Sequence, residues 1–361
     1  MTKSVAAIRS VKARGVVAPI ARPVRTAFST IDAAPLVLVD VETDQGVTGR
    51  AYLFAYAPLT LKPLVHLIEE IGRELVGRPV APYDLMAAMD AKFRLLGWQG
   101  LVGMAVSGLD MAYWDALGLI AGRPVAELLG GSARPIKAYD SYGAVDPAKD
   151  DKSLRRSLEQ GFRGIKIKGG LGDAADDERM VSGVRALLGP DIALMIDFNQ
   201  SLDPAEATRR IERLAPYDLH WIEEPVAQEN LSGHAKVRET SPTPIQAGEN
   251  WWFPRGFAEA IAAGACDFIM PDLMKCGGVT GWLQVAAQAE AASIPMSSHL
   301  FAEASAHTLA VTPTAHWLEF LDLARAILAH PAEIVDGALT ARGPGLGLEW
   351  NEAAVAKYLV S

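Results

Sequence analysis

Three apolar runs that each end in an acidic residue decide the fold of this chain. They read Leu194-Met195-Ile196-Asp197, Trp221-Ile222-Glu223 and Pro244-Ile245-Gln246-Ala247-Gly248-Glu249. Consecutive acids lie 26 residues apart in both intervals. One strand, one helix and two short loops occupy about that length of chain. The spacing therefore predicts three successive parallel strands, each with a carboxylate at its C-terminal end.

Three carboxylates brought together in this way repel one another unless a cation lies between them. Oxygen ligands are those that Mg²⁺ and Mn²⁺ prefer in proteins. A single acid in such a loop is as readily a solvated residue or a helix N-cap, but three acids in register favour a metal site. The sequence predicts Asp197, Glu223 and Glu249 as metal ligands, with Mg²⁺ as the expected ion and Mn²⁺ as the alternative.

Bulk properties exclude several classes of protein. A chain of 361 residues is expected to form two domains, and a net charge of −9 argues against nucleic acid or anionic membrane as a partner. Two cysteines, Cys266 and Cys276, suggest no disulfide framework and hence a cytoplasmic protein. The most apolar stretch, 98–122, carries Asp110 and Asp115, which indicates a buried helix rather than a membrane span.

The first 130 residues mix strand and helix signals without a regular period. Residues 36–42 are typical of a strand, and residues 61–75 and 84–96 have the three- and four-residue apolar spacing of helices. Gly and Pro punctuate residues 128–135, which marks a boundary. We expect an α+β domain over residues 1–130.

A repeating strand–helix rhythm follows. Eight β-type runs lie at 136–139, 164–168, 193–197, 219–223, 245–248, 268–270, 294–297 and 317–319. Helical patterns separate most of them, which predicts a (β/α)₈ barrel of the α/β class over residues 131–324. A doubly wound open sheet would need a glycine-rich phosphate turn after its first strand, and none is there. Residues 325–361 are expected to return to the N-terminal domain or to close the barrel.

Two lysines on the second strand are candidates for a base. Lys166 and Lys168 are two residues apart, so they share one face of the strand. The charge on each ammonium disfavours protonation of the other lysine, which is expected to lower the pKa of one of them toward neutrality. A pair of surface lysines on an exposed edge strand would have the same pattern.

Other polar residues end the remaining strands. His299 follows the seventh run and Asp272 the sixth, so a carboxylate could orient the imidazole. Glu319 ends the eighth run, where burial could keep it neutral as a hydrogen-bond donor, although a salt bridge is the alternative. Asn199 shares a face with Asp197 and could bond a substrate oxygen.

A lysine base, a histidine base and a metal between them resemble the enolase superfamily and, within it, the mandelate racemase group. The resemblance runs over nearly the whole chain. Among the motifs that carry it are Gly108-Leu109-Asp110-Met111-Ala112, Gly277-Gly278-Val279-Thr280-Gly281-Trp282 and Pro295-Met296-Ser297-Ser298-His299-Leu300-Phe301.

The resemblance implies a role for each matching position. It implies a capping domain at residues 1–130 and a homo-oligomer, an octamer being one form. It implies Mg²⁺ ligands, two opposed bases with their partners, and further site residues. The implied Mg²⁺ ligands are Asp197, Glu223 and Glu249. The implied bases are Lys168, with Lys166 as its partner, on the (S)-face and His299, with Asp272 as its partner, on the (R)-face. The further implied site residues are Glu319, Asn199, Lys275 and Ser141.

The reaction depends on the cap loops. In the family they cover the distal part of the substrate, and Val24, Ile31 and Tyr56 match lining positions there. The loop at 23–31 is largely apolar, which favours racemisation of mandelate or a similar aromatic 2-hydroxy acid. An acid-sugar dehydratase would need polar residues in this loop to hydrogen-bond the substrate hydroxyls. Arg25 would supply one if the loop had a different register. Two further alternatives remain. One is another reaction that begins with removal of an α-proton, and the other is a non-catalytic, Mg²⁺-dependent sensor of sugar acids.

Overall fold

The N-terminal unit is built on a three-stranded antiparallel sheet in the order β1-β2-β3. The computed structural model describes residues 5–361 of the chain. The strands are β1 (Ile8–Arg25), β2 (Thr30–Thr43) and β3 (Thr48–Phe54). The predicted strand at 36–42 is the buried centre of β2. Gly46, with a φ of 78°, makes the turn between β2 and β3, where a left-handed backbone favours glycine.

Four helices follow this sheet, and the first and third of them pack on it. They are α1 (Pro58–Leu75), α2 (Pro82–Phe93), α3 (Leu101–Ala121) and α4 (Val125–Leu128). Proline at the start of α1 and α2 suits a position that needs no N–H donor. Helix α3 is the predicted buried helix, and it touches β3 so closely that a Cβ on Gly49 would lie 2.0 Å from the carbonyl oxygen of Ala112. Over residues 5–361, no helix combines the length and the apolarity needed to cross a bilayer.

The second unit is a ring of parallel strands. Their order is β10-β4-β5-β6-β7-β8-β9, and their bounds are β4 (Pro135–Ser141), β5 (Gly164–Lys168), β6 (Ala193–Asp197), β7 (Trp221–Glu223), β8 (Ile245–Ala247), β9 (Phe268–Ile269) and β10 (Leu318–Phe320). This α/β architecture with an N-terminal capping domain confirms the predicted fold class.

The seventh barrel position is irregular. Met296 makes isolated parallel bridges to Ile269 on one side and Ala315 on the other, and no regular strand forms there among the described residues. Pro295 precedes it and lacks the N–H that a ladder needs. The predicted strand at 294–297 is therefore reduced to bridges, which still close the ring.

Helices alternate with these strands. They are α5 (Asp151–Glu159), α6 (Ala174–Leu188), α7 (Pro204–Leu214), α8 (Leu231–Thr240), α9 (Phe253–Ala262), α10 (Gly278–Ala291) and α11 (Ala302–Ala310). The sequence patterns missed α8 and α11. Helix α11 is buried on nearly all sides and has no polar face, whereas α8 has an N-cap signal in Asn230, whose side chain accepts from Gly233 N.

The C-terminal segment joins the two units. Strand β11 (Ala338–Thr340) runs antiparallel to β4 of the barrel. Trp350 Nε1 donates to Asp40 Oδ1 of the cap at 2.8 Å, and α12 (Glu352–Tyr358) follows. The segment thus contacts both units, while its role in closing the barrel and the domain boundaries near residues 130 and 324 stay predictions.

A buried carboxyl group ties three parts of the cap interface together. Asp115 on α3 accepts from Arg50 N at 2.7 Å and from Leu346 N at 2.5 Å. Burial raises the pKa of Asp115 from its ordinary 3.8 to about 7. The group therefore stays protonated in the folded protein up to a higher pH than in the unfolded chain.

Replacing Asp115 by Asn should destabilise the protein in a pH-dependent way. The amide NH₂ would face one of the two backbone donors, at a cost of about 1–3 kcal/mol in the free energy of unfolding. Because the raised pKa favours folding fully below pH ~4 and this contribution is lost as pH rises through ~7, the loss in Asp115→Asn should be larger at pH 5 than at pH 8. Urea unfolding at both values measures it, with exposed Asp191→Asn as the control. An equal loss at both pH values would contradict the assignment.

Candidate metal centre and active site

Three buried carboxylates converge at the C-terminal end of the barrel. Asp197 ends β6, Glu223 ends β7, and Glu249 lies two residues after β8. Asp197 and Glu223 are register partners in the parallel ladder. One oxygen from each of the three acids lies within 4.8 Å of the others. The structure therefore brings together the three acids that the sequence spacing singled out.

The charges around these acids fit a bound dication. Six carboxyl groups are buried here, those of Asp197, Glu223, Glu249, Glu224, Asp272 and Glu319. Among residues 5–361, their nearby cationic groups are fewer, namely the ammonium groups of Lys166, Lys168 and Lys275 and the imidazole of His299. Burial, with repulsion from neighbouring acids, raises the pKa of Glu223 well above its usual range despite Lys166.

Glu249 supplies a second indication. Its Oε2 lies 3.2 Å from His299 Nε2, but the angles are not those of a hydrogen bond, and within the described chain this buried oxygen has no hydrogen-bond partner. Buried, excess and partly unsatisfied carboxylate oxygens are what a hard cation such as Mg²⁺ binds.

Both lysines of β5 point into this cluster. The strand lies between β4 and β6, so the exposed edge-strand alternative is wrong. Lys166 Nζ is 2.5 Å from Glu223 Oε1 and 2.7 Å from Glu319 Oε1, and Lys168 Nζ is paired with Asp197 Oδ2. Burial and Lys166 lower the pKa of Lys168, but Asp197 and other acids outweigh them, and the net shift is upward. The prediction of a lowered lysine pKa therefore needs correcting, because it left out the carboxylate partner.

His299 is held by Asp272, as the pattern predicts. Its Nδ1 lies 2.7 Å from Asp272 Oδ2, and a parallel bridge joins the two backbones. Burial lowers the pKa of His299, yet Glu249, Glu319 and Asp272 together raise it above its ordinary value. Burial instead lowers the pKa of His234 to about 4, and that of His316 to about 3, which suits structural histidines outside the site.

Glu319 differs from its predicted state. Oε1 is paired with Lys166, and Oε2 accepts from Leu300 N at 2.9 Å. Burial raises the pKa of Glu319, but Lys166 and His299 lower it far more, to well below its usual range. The salt-bridge alternative is therefore the one that forms, with Lys166 as the partner, and the lowered pKa favours an ionised carboxylate over the neutral donor.

Asn199 and Ser141 present polar atoms at the same end of the barrel. Asn199 Nδ2 donates to Asp197 Oδ2 at 3.1 Å, and its backbone N–H donates to Asp197 Oδ1 at 2.7 Å. Across residues 5–361, neither Asn199 Oδ1 nor the buried Ser141 Oγ has a hydrogen-bond partner. Asn199 thus steadies a predicted metal ligand and leaves its amide oxygen free for another group.

Lys275 belongs to a network that the sequence patterns missed in part. Its Nζ donates to Asn250 Oδ1 at 2.5 Å, and Asn250 Nδ2 donates to both oxygens of Glu224, at 3.0 and 2.8 Å. The ammonium also lies 4.7 Å from the ring centroid of Tyr56 in the cap. Glu224 and Asn250 each directly follow a predicted ligand, which is the signal that could have found them.

The cap loop at 23–31 buries an apolar side chain and leaves its cation exposed. Val24 is buried and pairs with the half-buried Ile31, whereas Arg25 is exposed. The carbonyl oxygen of Arg25 accepts from Ala144 N, in the loop after β4, at 2.7 Å. The register that would bury Arg25 is therefore not the one that forms. Tyr56 is 43% exposed and has a φ of 57°.

Similar proteins match the whole chain or nearly all of it. An enolase from Bradyrhizobium, crystallised with magnesium and mandelic acid, is 72% identical, with a TM-score of 0.98 over 100% of both chains. A D-galactarolactone cycloisomerase from Agrobacterium fabrum is 31% identical over 93% of this chain and 94% of its own. An L-talarate/galactarate dehydratase from Salmonella typhimurium, crystallised with Mg and L-lyxarohydroxamate, is 26% identical, with a TM-score of 0.91 over 99% of this chain and 94% of its own.

Two family descriptions match separate parts of the chain. Residues 8–130 match the mandelate racemase/muconate lactonizing enzyme N-terminal domain, and residues 150–354 match the enolase C-terminal domain-like family. These matches agree with the capped barrel and its cluster of three acids. The chain is therefore a Mg²⁺-dependent enzyme of the enolase superfamily, in its mandelate racemase and muconate lactonizing enzyme group.

Proposed function

We propose that this protein racemises mandelate or a similar aromatic 2-hydroxy acid by moving its α-proton between two bases. The observation that carries the proposal is the placement of Lys168 and His299. Lys168 contacts Asp197 at one end of the carboxylate cluster, and His299 lies beside Glu249 at the other. A carboxylate substrate held at the cluster would have one base on each side of its α-carbon.

The chemistry requires stabilisation of a dianion. An α-hydrogen beside a carboxylate is a very weak acid, and its removal produces an enediolate. Bound by Asp197, Glu223 and Glu249, Mg²⁺ would supply positive charge to the substrate carboxylate. Lys166, buried among the acids, adds a fixed ammonium to the same region.

The two bases divide the faces of the substrate. We assign removal of the (S)-enantiomer's proton to Lys168 Nζ, whose raised pKa would fall when a bound dication takes up the charge of Asp197. We assign removal of the (R)-enantiomer's proton to His299 Nε2, since Nδ1 is engaged by Asp272. Asp272 then fixes the tautomer that leaves Nε2 free to accept. A proton taken on one side and returned from the other inverts the α-carbon.

The cap favours an aromatic substrate. Buried Val24 and half-buried Ile31 give the loop an apolar inner side, which suits a phenyl ring better than a chain of hydroxyls. The Bradyrhizobium protein, 72% identical, was crystallised with mandelic acid. Both observations support racemisation of a ring-bearing acid.

Acid-sugar dehydration is the second candidate. An Agrobacterium cycloisomerase and a Salmonella dehydratase are similar to this chain, and Lys275 with Asn250 places polar atoms near the cap. Here one base would take the α-proton while His299 protonates a departing β-hydroxyl. A sensor without catalysis is less well supported, since ligand binding alone requires neither base.

Deuterium exchange tests the reaction directly. In D₂O with Mg²⁺, both (R)- and (S)-mandelate should lose their α-proton signal by NMR while the optical rotation falls to zero. Absence of exchange with either enantiomer would remove mandelate as a substrate. A parallel assay of acid sugars for 2-keto product then decides whether the dehydratase assignment replaces it.

Single-base variants test the assignment of faces. Lys168→Ala should lower exchange from (S)-mandelate by at least about 10²-fold, and His299→Asn should do so from (R)-mandelate, because each loses the base on one face. His299→Asn should still exchange the (S)-enantiomer without inverting it. Exposed Lys152→Ala is the control and should match the wild type. Full racemisation by Lys168→Ala would refute its role as base.

A further inference from the structure

The carboxylate of Glu223 is held from the barrel interior by two neutral donors. Trp221 Nε1 donates to Glu223 Oε2 at 3.0 Å, and Gln246 Nε2 donates to the same oxygen at 3.3 Å. All three side chains are fully buried. Lys166 takes the other oxygen, Oε1. The two oxygens of this acid are therefore distinguished by their partners.

The β-ladder sets this arrangement. Trp221 lies two residues before Glu223 on β7, so both side chains point into the barrel. Gln246 is the register partner of Glu223 on the neighbouring strand β8. Both donors are fully buried, so close packing limits their side-chain rotation. The orientation of the Glu223 carboxylate is consequently set by donors inside the barrel, before any ligand binds at the C-terminal end of the strands.

Gln246 is poorly satisfied apart from this contact. Its Oε1, buried in the barrel, has no hydrogen-bond partner among residues 5–361, and its Nε2 otherwise approaches only the sulfur of Met270, at 3.2 Å. A buried amide with an unpaired oxygen costs stability compared with an apolar side chain of similar size. A role in packing alone therefore does not account for glutamine at this position.

We propose that Trp221 and Gln246 are positioning residues that fix Glu223 for the divalent metal. By donating to Oε2 they restrict the rotation of the Glu223 carboxylate beside Asp197 and Glu249, so that the ligand set is formed in advance. Donors behind a ligating carboxylate limit its rotation and strengthen metal binding. The inference rests on the metal site of the proposed function but not on racemisation, so its test needs no substrate.

Calorimetric titration of the metal-free protein with Mg²⁺ tests the proposal. Gln246→Met keeps the volume but removes the donor, and it should weaken Mg²⁺ binding by about 10–100-fold. The metal-free variant should unfold at the same or a higher urea concentration than wild type, because the unpaired amide is gone. A packing role predicts the reverse pattern, with lower stability and unchanged Mg²⁺ affinity.

Two tryptophan variants isolate the hydrogen bond from the ring. Trp221→Phe removes the donor to Glu223. Trp282→Phe is the matched control, since Trp282 is equally buried and donates to Thr312 Oγ1 at 3.0 Å outside the metal site. Both should lose stability through the smaller ring, but only Trp221→Phe should lose Mg²⁺ affinity.

The outcomes separate this proposal from the metal site itself. Mg²⁺ binding by Gln246→Met and Trp221→Phe at wild-type strength would overturn the positioning role while leaving the metal centre intact. A wild-type protein that binds no Mg²⁺ would overturn both. With the proposal correct, excess Mg²⁺ should still saturate Gln246→Met in the calorimetric titration, since the site is weakened and not removed.

Discussion

Like charges forced together at the end of the barrel are the constraint on which the rest of this site depends. Asp197, Glu223 and Glu249 are fully or almost fully buried, and their ligand oxygens lie within 4.8 Å of one another. Such a cluster is costly in a fold unless cations compensate it. Lys166 and Lys168 supply part of that compensation, and the remaining negative charge is what a dication neutralises.

The same constraint explains the state of the surrounding groups. Because the lysines neutralise acids, the pKa of Lys168 is raised and that of Glu319 is lowered, against the directions expected from the lysine pair or from burial alone. Burial lowers the pKa of His299, but the neighbouring acids Glu249, Glu319 and Asp272 raise it by more. The site is best understood as one coupled charge network in which each group's proton affinity depends on its neighbours.

Much of this could be predicted from the chain. The equal spacing of Asp197, Glu223 and Glu249, with Lys168 and His299 at other predicted strand ends, indicated the convergence of these groups, because strand ends of a parallel ring meet at one edge. The missing seventh strand and helices α8 and α11 were not predictable from periodicity. Pro295 interrupts the ladder, and a helix such as α11, buried on nearly all sides, has no polar stripe to detect.

The sequence by itself determined which side chains could act, since a strand's alternation and its length place a residue on a face and at an end. Only the tertiary structure decided their partners and charges. Lys166 pairs with Glu223 and Glu319 across the barrel, Gln246 donates to an acid on the next strand, and the cap register buries Val24 instead of Arg25. These contacts join residues distant in the chain, and their geometry follows from barrel closure and domain packing, which no local pattern encodes.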